Sequence, residues 1–98
     1  MPESIKEWQA VIHNNAIVKG FWEEQRSIPE MLCLIHSEVS ECLEVYRGGH
    51  EGTIGEELAD IVIRVLDMAE GLSIDLQSEM TKKHKFNLTR PRMHGKKI

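Results

Sequence analysis

Leu34-Ile-His-Ser-Glu-Val-Ser-Glu-Cys-Leu-Glu-Val-Tyr-Arg47 and Gly55-Glu-Glu-Leu-Ala-Asp-Ile-Val-Ile-Arg-Val-Leu-Asp67 are the stretches that decide the fold. In both, apolar side chains recur three and four residues apart, the period of a helix with one buried face, and neither alternates with the period of two that a half-buried strand requires. The first stretch belongs to a helix opening at Ser27-Ile28-Pro29-Glu30, where Pro29 and Glu30 suit a first turn, and ending at Gly48-Gly49. Its stripe runs from Met31 through Ile35, Val39 and Leu43 to Tyr46, and Tyr46 is read as core. The second belongs to a helix from about Thr53, whose hydroxyl suits a capping box with Glu56, to Gly71.

Working outward, Ile5, Trp8, Ile12 and Ala16 mark a first helix from about Ser4, a plausible N-cap, to Lys19, with Gly20 as its stop. A fourth is expected to open at Ser73, with Asp75 in its first turn, and to end before Pro91. After Pro91 the chain reads as a basic, irregular tail. The expectation is one all-α domain over residues 1–98, of the four-helix-bundle type. A chain of 98 residues buries only about 60–65% of its unfolded surface, so self-association as a homodimer or homotetramer is expected too.

Composition narrows the class. Apolar residues make up 41% and charged residues 29%, which excludes collagen-like and generally disordered chains. Apolar runs such as Met31 to Ile35 fall far short of the ~18–20 residues of a membrane span, and the N-terminus has no signal-peptide core. No membrane partner and a cytoplasmic location are therefore expected. Cys33 and Cys42, in no metal-ribbon spacing, are expected to be free.

The net charge of -4 hides an asymmetry. Lys82 to Ile98 holds seven basic residues and no acid, whereas residues 1–81 hold five bases and all sixteen acids, giving +7 against -11. A nucleic-acid partner is disfavoured, because the acidic part of the chain repels a long polyanion.

Advancing about 100° per residue, Glu38 lies at the edge of the apolar sector of its helix and Glu41 about 60° beyond it. Glu57 and Asp60 occupy matching phases on the next helix. If the two helices pack through their stripes, four carboxylates converge on one seam. Such charges repel in a partly dry site and make sense with a divalent cation, and oxygen donors suit a hard one such as Mg²⁺. No His or Cys joins the set, which argues against zinc. Asp67 is either a further ligand or an ion-pair partner of Arg64 on its own helix. His13, His50 and His84 read as surface or structural residues.

The spacing Glu38-Val-Ser-Glu41, fifteen residues, then Glu57-Leu-Ala-Asp60 resembles the ExxE…ExxD signature of the MazG-like all-α nucleoside triphosphate pyrophosphohydrolases. The C-terminal stretch Lys83-His-Lys-Phe-Asn-Leu-Thr-Arg-Pro-Arg-Met-His-Gly-Lys96 is similar to that family's KxxYNxxRP segment followed by HGxK. The similarity spans residues 5–97. It implies Mg²⁺, with Mn²⁺ as a substitute, on Glu38, Glu41, Glu57 and Asp60. It implies triphosphate contacts from Lys83, Asn87 and Arg90, and a dimer or a dimer of dimers. Phe86 departs from the pattern, which usually has Tyr.

The implied reaction is hydrolysis of a (d)NTP or modified NTP to the monophosphate and pyrophosphate, by attack of a metal-activated water on the α-phosphorus. Glu38 and Glu41 are the candidate general bases. Trp22 is a candidate to stack on the base, with Asn14 or Asn15 at its edge; the other reading is that Trp22 covers the core or an oligomer interface. The competing function is a non-catalytic helical oligomer that binds nucleotides or nucleic acid through its basic C-terminal segment.

Overall fold

Each helix begins where a side-chain oxygen can accept an otherwise orphaned N–H. Ser4, Ser27, Thr53 and Asp75 accept from the backbone N–H three residues on and open α1 (Ile5–Val18), α2 (Ile28–Arg47), α3 (Ile54–Gly71) and α4 (Leu76–Leu88). These come from a computed structural model that describes residues 1–96; Lys97, the last base of the tail, and Ile98 lie outside the described residues. Among the described residues there is no strand, so the all-α expectation holds.

Two local expectations need correction. The reciprocal capping box forms at Ser27 and Glu30, whereas at Thr53 only the hydroxyl half is made. Ser73 does not open the fourth helix. It lies in the left-handed region at φ 59°, and the next N–H, that of Ile74, donates back to the Ala69 carbonyl at 2.8 Å. Ser73 thus does for α3 what Gly20 (φ 89°) does for α1 and Gly48 (φ 82°) for α2. Asp75 is the true N-cap of α4. Beyond Pro91 the chain makes one tight turn, Arg92–Gly95, with Met93 and His94 also at positive φ.

Helix α3 is the centre of the fold, with α1 and α2 packed along it and α4 resting on α1. The pin between α1, α3 and α4 is Gln9, only 2% exposed. Its amide donates to Glu70 and to the Ile74 carbonyl and accepts from the Leu76 N–H, so a buried polar group is fully used. Lys6 adds a backbone N–H to the Gln77 side chain.

The apolar core is small: Met31, Leu66 and Ala69 are its buried hydrophobic residues. Tyr46, expected in the core, is 76% exposed in the last turn of α2, on the same side as the half-exposed Val39 and Leu43. Val39, Leu43, Leu58, Val62 and Phe86 are each about half exposed. The chain presents 7726 Å² to solvent, where a monomer of 11.3 kDa presents about 5,700 Å². Its radius of gyration, 15.7 Å, exceeds the about 13 Å of a compact domain this size. Both cysteines are free, and no helix among the described residues is long and apolar enough to cross a membrane.

Candidate metal centre

The α2–α3 seam brings the four predicted carboxylates together. Glu57 sits in the middle of them, 7% exposed, at the start of α3 where the helix presses against α2. Ligand-type atoms of Glu38, Glu57 and Asp60 lie within 4.8 Å of one another, and so do those of Glu41, His50 and Glu57. Glu57 belongs to both groups. Its Oε2 is enclosed without a hydrogen-bond partner among the described residues, a costly state for a carboxylate oxygen. Burial first, then the charges of Asp60, Glu41 and Glu38, push its carboxyl above the ordinary range, while His50 pulls it back.

The remaining acids of the seam are in different states. Glu38 is paired: Arg64 Nε donates to its Oε1 at 2.9 Å across the two helices. Glu41 and Asp60 are exposed and make no hydrogen bond or ion pair among the described residues. The donor set, mostly carboxylate oxygens with one enclosed and unpartnered, fits a hard divalent cation.

Beside the seam runs a groove of about 500 Å³ between α1 and α3. Val11, Ile12, Ala16, Phe21 and Ile63 supply its apolar wall, and Asn15, Arg64, Glu38, Asp60 and Asp67 bring polar groups. Asn15, one of the two candidates for a base-edge contact, lines this groove, and so does the ring of Phe21.

Trp22 is not in the lining of this groove, although its partner Asp67 is. Its indole N–H donates to both oxygens of Asp67, at 2.9 and 3.2 Å, and its ring meets His13 edge-on with centroids 4.9 Å apart. His13 Nδ1 lies 2.8 Å from the same carboxylate. Asp67 is thus tied to His13 and Trp22, not to Arg64, because the chain reaches it from α1 and from the α1–α2 connection. The indole also closes over Gly71, where a Cβ would collide with it.

Lys83, Asn87 and Arg90 share one face of α4 and its end. Lys83 Nζ and Arg90 Cζ lie 5.1 and 5.4 Å from the centroid of the Phe86 ring, a cation–π arrangement that a phenyl supports as well as a phenol. Asn87 Oδ1 is enclosed without a partner. None of the three bonds to the carboxylate seam within one chain among the described residues, and the groove has no α4 residue in its lining.

The expectation that no His joins the carboxylates needs correction, because His50 stands with Glu41 and Glu57. His50 lies on the α2–α3 connection, where phase carries no information, and its nearness to Glu41 and Glu57 is a product of the turn. No protein-family model, curated protein or solved structure matches the chain.

Proposed function

We propose that the protein is a Mg²⁺-dependent nucleoside triphosphate pyrophosphohydrolase of the MazG-like kind, with Mn²⁺ able to substitute. The observation that carries the reading is the enclosed, unpartnered Glu57 oxygen at the meeting point of four carboxylates, beside a groove large enough for a nucleoside. Glu38, Glu41, Glu57 and Asp60 would hold the cation, which when bound neutralises phosphate oxygens and acidifies a neighbouring water.

The residues of the chain do the rest. The groove orients the nucleoside, with Phe21 against the base and Asn15 at its edge. Glu41, free of any ion pair, accepts the proton of the attacking water more readily than Glu38, whose Oε1 is already shared with Arg64. The water oxygen bonds to the α-phosphorus, the bond to the β-bridging oxygen breaks, and pyrophosphate leaves with that electron pair. Lys83, Asn87 and Arg90 offset charge on the phosphates. Because they lie on a helix packed against α1, self-association as a homodimer or homotetramer belongs to this reading. The chain presents about 2,000 Å² more than a compact monomer of its mass, more than the about 800 Å² that each partner gives to a standard interface. Two free cysteines accord with a cytoplasmic setting.

The test is to incubate the protein with nucleoside triphosphates and Mg²⁺ and resolve the products by ion-exchange chromatography. Monophosphate and pyrophosphate are expected; diphosphate and orthophosphate would overturn the cleavage site. The position of α4 in a single chain favours one second reading, a nucleotide-binding helical oligomer without turnover. It predicts binding that needs no Mg²⁺ and weakens steeply with salt.

A further inference from the structure

The connection from α2 to α3 holds an imidazole to which the proposed reaction gives no task. Gly48 and Gly52, at φ 82° and 127°, take backbone conformations that side-chain-bearing residues rarely adopt, and between them the chain turns back over the seam. Gly52 also comes close to Glu57: a Cβ there would stand 3.5 Å from Glu57 Oε1. The turn places a ring nitrogen of His50 within 4.8 Å of carboxylate oxygens of Glu41 and Glu57. Glu57 is therefore shared by two triads. One, with Glu38 and Asp60, offers oxygen alone; the other, with Glu41 and His50, offers nitrogen as well. A carboxylate has two oxygens and can serve two ions, and here Oε2 is enclosed with nothing else to bind.

We infer that His50 is a nitrogen ligand for a second divalent cation, bridged to the first through Glu57, and that this second position selects a first-row transition ion over Mg²⁺. The inference rests on the phosphohydrolase reading only for its use, since metal binding is measured without nucleotide. Mg²⁺ prefers oxygen donors, whereas imidazole favours ions such as Co²⁺ and Ni²⁺.

The experiment uses the full, untagged chain, stripped of metal and titrated with Co²⁺ and separately with Mg²⁺ by calorimetry, alongside imidazole ¹⁵N spectra of its five histidines. Two Co²⁺ per chain are expected, with the largest paramagnetic shift on His50. His50→Gln, a change in an exposed turn, is expected to weaken the second Co²⁺ by at least about tenfold while leaving Mg²⁺ binding unchanged. Unchanged Co²⁺ affinity and stoichiometry in that variant, or an unshifted His50 signal, overturns the proposal. Glu57→Gln is expected to lose the second ion as well; its retention refutes the bridge. If Co²⁺ binds at His50 but no triphosphate is cleaved, the enzyme reading fails and this one stands. If pyrophosphate is released but His50→Gln binds Co²⁺ as before, the reverse holds.

Discussion

Helix α3 carries two largely enclosed carboxylates, one near each end, and their surroundings are opposite. Asp67, 22% exposed, receives the Trp22 indole N–H and lies against the His13 ring, so its charge is dispersed over partners supplied by the chain itself. Glu57, less exposed still, meets other acids and keeps an oxygen with no hydrogen-bond partner among the described residues. A protein with only folding to achieve has a reason to keep the first arrangement and none to keep the second. The contrast separates a carboxylate that holds helices together from one that, on the proposed reading, holds a cation.

The widest separation between the two sites is expected in catalysis. Glu57→Gln reduces Mg²⁺-dependent pyrophosphate release by at least about a hundredfold, the upper end of what even outer-shell changes at metal sites cost. Asp67→Asn leaves that activity within a few-fold. If Asp67→Asn proves the more damaging, the assignment of roles is reversed.

Stability is expected to rank them the other way. Asp67→Ala strands the Trp22 N–H and costs about 1–3 kcal/mol, measured by urea denaturation of the metal-free protein. Gly71→Ala drives a methyl into the Trp22 ring and costs a similar about 1–3 kcal/mol. Glu57→Gln, by contrast, raises the midpoint of metal-free unfolding at neutral pH.

The pH dependence follows from the direction of the Glu57 shift. A carboxyl whose folded pKa lies above its unfolded value binds its proton more tightly when folded, so its contribution to stability is complete below the unfolded pKa of about 4.3 and is lost as pH rises through the folded value. The gain from Glu57→Gln is therefore larger at pH 7 than at pH 4, and added Mg²⁺ abolishes it. The smallest expected effect separates the two neighbouring rings. Phe21→Ala raises KM about tenfold, in line with one lost stacking contact, whereas Trp22→Phe leaves KM unchanged.

Much of this arrangement was legible in the sequence where the signal is periodic or chemical. The phases of Glu38, Glu41, Glu57 and Asp60 foretold their meeting, because a helix fixes the direction of side chains three residues apart. Ser4, Ser27, Thr53, Gly20 and Gly48 marked helix ends correctly, each having one strong conformational use. Ser73 misled because serine commonly caps the start of a helix, and here it took the left-handed position after one. Tyr46 misled because periodicity identifies a stripe but not whether another element covers it. The partners of Asp67 and the approach of His50 depend on tertiary placement and on a turn, which leave no period to read.

The Arg64–Glu38 bond makes the guanidinium a permanent member of the centre, one positive charge that no chelator removes. By formal charge, four carboxylates and one arginine sum to three negative charges. On the proposed reading, a single divalent ion would leave the centre anionic and repel a triphosphate, and a second would turn it cationic. Electroneutrality alone would then make substrate affinity climb more steeply than the first power of metal concentration, a cooperativity that needs no movement of the helices.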